Sequence, residues 1–221
     1  MTTPFTRRLF CLFSLALLAT GSVYAQFGVG WQRTPTITVI GADEKDPRRA
    51  MVDEAIDFWN KTLHEVDSGF RLGPATQLTR AVPEDALRSL SASIVGGRGP
   101  VWVPSSLRNL PADMTIMLGD SDFVSFAGPF DADGKRVVAI RGMNLPPLNL
   151  PNVAPNVVTH ELGHALGIGH NSDPTMLMCG RPAPCRPNLF QSNEPKLFPL
   201  THDEKQLLRT LYPADWKPRA P

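Results

Sequence analysis

The chain has 221 residues, 22 Lys+Arg against 21 Asp+Glu, 42% hydrophobic and 19% charged. That length suits one ordinary domain with a sizeable core. The near-neutral charge excludes a nucleic-acid binder as the default, and the composition excludes a disordered chain. Its 22 prolines are about twice the usual share, so stiff, irregular connections are expected rather than an all-helical bundle.

Arg7 and Arg8 precede an apolar run from Leu9 to Ala19, and Val23-Tyr24-Ala25 offers small residues for a cleavage site. This is the plan of a secretory signal peptide over residues 1–25. Thr6-Arg7-Arg8-Leu9-Phe10 also resembles a twin-arginine export signal, ranked second because the run is leucine-rich. The run is shorter than the roughly 20 residues that span a bilayer, so no membrane anchor is expected after cleavage. Cleavage would leave 221 − 25 = 196 residues, with 20 basic against 21 acidic side chains. The expected destination is the periplasm or the exterior. Two cysteines would remain, Cys179 and Cys185, and an exported protein favours their pairing as a disulfide.

Thr36–Ile40, bounded by Pro35 and Gly41, reads as a first strand of β-branched residues. Asp46 and Pro47 then suit the start of a helix, with Val52, Ala55, Ile56, Trp59 and Leu63 at helical spacing to about Val66. Phe70–Thr79 reads as a second strand and Glu84–Leu90 as a short helix. The Gly- and Pro-punctuated residues 91–111 receive no assignment. Further strands are expected at Asp113–Leu118, Phe123–Ala127 and Lys135–Arg141. Asp131-Ala132-Asp133-Gly134 reads as a hairpin turn; it also opens like a calcium loop, but the closing Glu is missing, so calcium is weakly supported. Ten of the 21 prolines after residue 25 lie between Leu145 and Pro199, around a helix that starts near Pro155.

That helix carries the chemistry, in the run His160-Glu161-Leu162-Gly163-His164-Ala165-Leu166-Gly167-Ile168-Gly169-His170. His160 and His164 are four apart and share one helical face, so both imidazoles can reach one zinc. Glu161, about 100° round the helix, suits a general base acting on a zinc-bound water. A continuous helix would carry His170 about 15 Å further along the axis. Gly167 solves this by ending the helix in a left-handed conformation, which lets the chain swing His170 back. Three imidazoles with one open position describe a catalytic zinc rather than a structural one. Such a pattern arises by chance in roughly one in 10⁵ chains of this size. His64 and His202 read as solvated helix residues.

This run resembles the zinc signature of the metzincin metalloproteases. Asp173-Pro174-Thr175-Met176-Leu177-Met178 is similar to their methionine turn in its matrixin branch, with Met178 the better match and Met176 the second. Trp31 with the first strand and helix, and Leu200-Thr201-His202-Asp203-Glu204 through Tyr212, resemble the opening and closing parts of a matrixin catalytic domain. Thr201 and Glu204 also form a capping box on local grounds. The resemblance implies an α/β (α+β) fold of the zincin type. Its sheet would be twisted, five-stranded and mostly parallel, with one antiparallel edge strand at Phe123–Ala127 and three helices. That edge would bind extended substrate.

The resemblance also frames the departures. No histidine lies between His64 and His160, so the family's structural zinc is expected to be absent. No cysteine lies between residue 25 and the first strand, so cysteine-based latency is not expected. Cys179 follows Met178 where Tyr-Pro is usual, which puts a cysteine pair in the specificity loop. The sequence therefore describes a signal peptide (1–25), a zinc metallopeptidase domain (26–213) and a short tail (214–221). The expected protein is a secreted monomeric endopeptidase acting on proteins or peptides, with one zinc on His160, His164 and His170 and Glu161 as base. The alternatives are a secreted binding or adhesion protein that keeps zinc without catalysis, and a hydrolase of non-peptide amides.

Overall fold

The computed structural model describes residues 28–96, 103–107, 109–129, 134–180, 185 and 196–219. The expected signal peptide (residues 1–25) and all but Gly134 of the expected Asp131–Gly134 turn lie outside these residues. The elements in chain order are β1 (Ile37–Gly41), α1 (Arg48–Glu65), β2 (Ala75–Thr79), α2 (Glu84–Gly96), β3 (Met114–Leu118), β4 (Phe126–Pro129), β5 (Arg136–Ile140), α3 (Val153–Ala165) and α4 (His202–Leu211).

The strands form one sheet in the order β2-β1-β3-β5-β4, parallel throughout except for the antiparallel β4–β5 edge pair. This is the expected five-stranded, mostly parallel sheet with one antiparallel edge. Every residue of β1 and β3 is buried, as parallel strands covered on both faces require. Their side chains divide between two cores by the two-residue period of a strand. Met114, Ile116, Leu118, Val138 and Ile140 join α1 and α3 in the larger core. Met117, Val137 and Ala139 face the opposite way, into a smaller core built on Ala86, Leu87 and Leu90 of α2.

Among the described residues there are four helices, one more than the resemblance implies, and α2 is the addition. It runs on to Gly96, well past the expected Leu90. At the start of α1 the cap position falls on Pro47, one residue after the expected Asp46, and no side chain caps the helix there; Asp46 instead accepts the Arg48 N–H at 2.9 Å from one residue further out. The second strand is shorter than expected. Asn60 takes both backbone groups of Leu72, accepting from its N–H at 2.8 Å and donating to its carbonyl at 3.0 Å, which holds residues before Pro74 out of the ladder. The edge strand is displaced from Phe123–Ala127 to Phe126–Pro129, because Ser91 Oγ binds both the N–H and the carbonyl of Val124.

After α4 the chain turns back onto the body of the fold. Trp216 meets Phe70 edge to face at 4.8 Å, and Arg219 N–H donates to Gln32 O at 2.8 Å. Among the described residues, no helix is long and apolar enough to cross a membrane.

Candidate metal centre

Helix α3 is the platform of the site. Trp59, fully buried on α1, donates its indole N–H to Thr159 O at 2.9 Å, one residue before the first histidine. Gly163 lies between the histidines of the helix because there is no room for a side chain. A Cβ there would sit 2.6 Å from Met178 Sδ and 2.7 Å from the Trp59 ring. Met178, wholly buried, therefore packs directly against the helix at Gly163, between the two helical histidines.

The helix ends where the glycine was expected to end it. Gly167 has φ +96°, and its N–H donates to His164 O at 2.9 Å. Several groups hold this end, where the helix dipole concentrates negative charge on the last carbonyls. Trp31 Nε1 and the Arg136 guanidinium both donate to Ala165 O. The Tyr212 hydroxyl donates to Leu166 O at 2.9 Å, and Gly28 N–H to Gly167 O at 2.7 Å. Burial pushes the Tyr212 hydroxyl up to about 12, so it remains a donor at any physiological pH. A Cβ on Gly167 would lie 2.8 Å from Val29 O. Gly167→Ala is accordingly expected to lose about 1–3 kcal/mol of stability, read as a lower urea midpoint, from left-handed strain and this collision. An unchanged midpoint would contradict the tight reversal.

Beyond Gly167 the chain brings His170 back to the helix. His170 Nε2 lies 2.9 Å from His164 Nε2 and 3.2 Å from His160 Nε2. The ligand atoms of the three histidines all fall within 4.8 Å of one another. Nitrogens bound to one tetrahedral zinc at 2.0–2.1 Å stand about 3.3 Å apart, so the spacing fits that ion. His160 Nδ1 lies 2.8 Å from Leu177 O, and His164 Nδ1 lies 2.7 Å from Ile168 O. A carbonyl can only accept, so both Nδ1 atoms carry the hydrogen and both Nε2 lone pairs face the convergence point. Burial, reinforced by His170, lowers the His164 pKa to about 3. That imidazole is thus neutral, as a metal ligand must be, far below neutral pH.

His160 and His164 are buried at 7% exposure each, whereas His170 is exposed, so the centre opens to solvent on one side. Glu161 lies beside His160 on α3 and is itself 7% exposed. His64 and His202 lie exposed on α1 and at the start of α4 and take no part.

Cys179 and Cys185 form a disulfide directly after Met178. Asn171 and Cys179 pair in a short parallel bridge, with Asn171 N–H donating to Met178 O at 2.9 Å and Gly180 N–H to Asn171 O at 3.0 Å. The bridge lays Gly180 against the His170 ring, where a Cβ would sit 2.1 Å from Cγ. Sequence reasoning missed Gly180. Its signal was a glycine immediately after the turn, at the point where the chain must pass a ligand.

No protein-family model and no curated protein matches the chain. Among solved structures, it is similar to archaemetzincin from Methanopyrus kandleri, at 20% identity and a TM-score of 0.49, over 81% of this chain and 96% of that one.

Proposed function

We propose that the chain is a secreted zinc metalloendopeptidase of the metzincin kind, closest in its motifs to matrixins. The observation that carries this is the convergence of three imidazole nitrogens beside a nearly buried glutamate. His160, His164 and His170 would hold the ion. Zinc, when bound there, supplies a Lewis acid that polarises the scissile carbonyl and acidifies water.

The remaining steps belong to the chain's own side chains. Leu177 O and Ile168 O fix the tautomers of the two helical histidines, so the centre is assembled in its ligating form. Glu161 accepts the proton of the attacking water and delivers it to the leaving amine. Strand β4, the antiparallel edge of the sheet against which α3 packs, offers backbone groups to an extended substrate. The adjoining disulfide shapes the segment after Met178, where the resemblance places the specificity loop.

The test is incubation of the mature protein with a peptide library, with and without a zinc chelator, and identification of the cuts by mass spectrometry. Internal cuts that stop with chelation and return with added zinc are expected. Stoichiometric zinc with no cleavage would replace this reading with that of a zinc-containing binding protein.

A further inference from the structure

His160 and His164 inherit their positions from a helix, but His170 does not. Its place depends on the backbone that carries it past the helix end, and Asn171, the next residue, is anchored. Its backbone is held by Met178 O and by the Gly180 N–H. Its side chain is used at both ends: Oδ1 accepts from the Asp173 N–H at 2.8 Å, and Nδ2 donates to Glu204 Oε1 at 2.6 Å. Glu204 lies on α4 and is 6% exposed. Its other oxygen, Oε2, accepts the Thr201 N–H at 2.8 Å, closing a capping box in which Thr201 Oγ1 accepts the Glu204 N–H at 3.2 Å.

Capping α4 needs only one carboxylate oxygen. The second oxygen reaches across to another part of the fold, at the short distance of a bond to a charged acceptor, and ends beside the third histidine. We propose that Glu204 is a positioning residue for the metal centre: by gripping the Asn171 side chain it fixes the backbone that presents His170. This rests on the three-histidine zinc reading and adds to it a determinant 34 residues away in sequence from His170.

The hydrogen-bond polarity supplies the test. In Glu204→Gln the side-chain oxygen still accepts from Thr201 N–H, but its amide nitrogen now faces the Asn171 amide nitrogen. Asn171 cannot flip to relieve this without losing the Asp173 N–H. Zinc affinity, measured by competition with a chromophoric chelator, is expected to fall about 10- to 100-fold. The absorption spectrum of the cobalt-substituted protein is expected to change as well. Adding Asn171→Asp supplies a carboxylate that accepts from both the new amide and the Asp173 N–H, and the double variant is expected to recover the parent's affinity and spectrum. Thr201→Ala removes the cap hydroxyl but leaves the Glu204–Asn171 bond. It is expected to lower the melting temperature of the metal-free protein while keeping the parent's zinc affinity.

Parent-like affinity in Glu204→Gln overturns the positioning role. So does failure of Asn171→Asp to rescue it, or an equal loss of zinc in Thr201→Ala, which would mark a general effect of destabilising α4. A parent protein that binds no zinc overturns the three-histidine reading instead, and the positioning role falls with it.

Discussion

Glu161→Gln is expected to retain a full equivalent of zinc and to lose hydrolysis by about 10²- to 10⁴-fold in kcat/KM, the range a positioned general base supplies. The substitution is nearly isosteric, so the packing of a residue that is 7% exposed is preserved. It leaves untouched the three nitrogens that converge on the metal position and the two carbonyls that set the tautomers of His160 and His164. What it removes is the capacity to take a proton, because an amide oxygen is far too weak a base. Metal content by mass spectrometry and cleavage of a fluorogenic peptide report the two properties separately. Activity within tenfold of the parent would sink the assignment of Glu161 as base, and loss of zinc would make it a structural support of the centre instead.

Much of the centre was legible in the sequence because its parts obey local rules. Four-residue spacing stacks His160 and His164 on any helix, and Gly167, the first glycine after them, reverses the chain at φ +96°. The capping box at Thr201 and Glu204 was equally local, and it formed. The central strands β1 and β3, and β5 after Arg136, were legible as apolar or β-branched runs, the mark of strands covered on both faces.

The features that escaped are those in which distant residues compete for the same backbone. Ser91 draws Val124 out of the edge ladder, and Asn60 keeps Leu72 out of β2. The same holds for Arg48, which looks like an ordinary charge at a helix start. It is 3% exposed, donating to Gly119 O and Ile140 O at the ends of β3 and β5 and pairing with Asp46 and Asp120. Apart from Asp46, two residues from Arg48, nothing within a few residues of Arg48, Ser91 or Asn60 announces these partners. The reach of Glu204 to Asn171 belongs to the same class: the local half of its role was readable and the long-range half was not.

Gly180→Ala tests the least legible part of the centre, and it is expected to weaken zinc binding by at least about 100-fold, beyond the usual effect of a residue supporting a ligand. No left-handed φ is required at Gly180, so the backbone accepts alanine and the effect is steric alone. The new methyl would lie 2.1 Å from Cγ and 2.5 Å from Cδ2 and Nδ1 of the His170 ring, so one side must move by more than 1 Å. The Gly180 segment is the less able to yield. It is tied to Asn171 by the paired backbone bonds, to Cys185 by the disulfide at Cys179, and to α3 through the buried Met178 against Gly163. The His170 ring, exposed on its solvent side, is the part expected to move. Zinc ligation tolerates about 0.2 Å of error in a bond length, so a displaced ring is no longer a ligand. The metal-free variant should therefore melt within a few degrees of the metal-free parent. Saturating zinc, by contrast, should raise the melting temperature of the parent alone, since a ligand at 100 times its Kd adds about 2.7 kcal/mol. A zinc-induced shift equal to the parent's would show that the turn gives way instead of the histidine, and that His170 is held by Asn171 and Glu204 without help from the wall behind its ring.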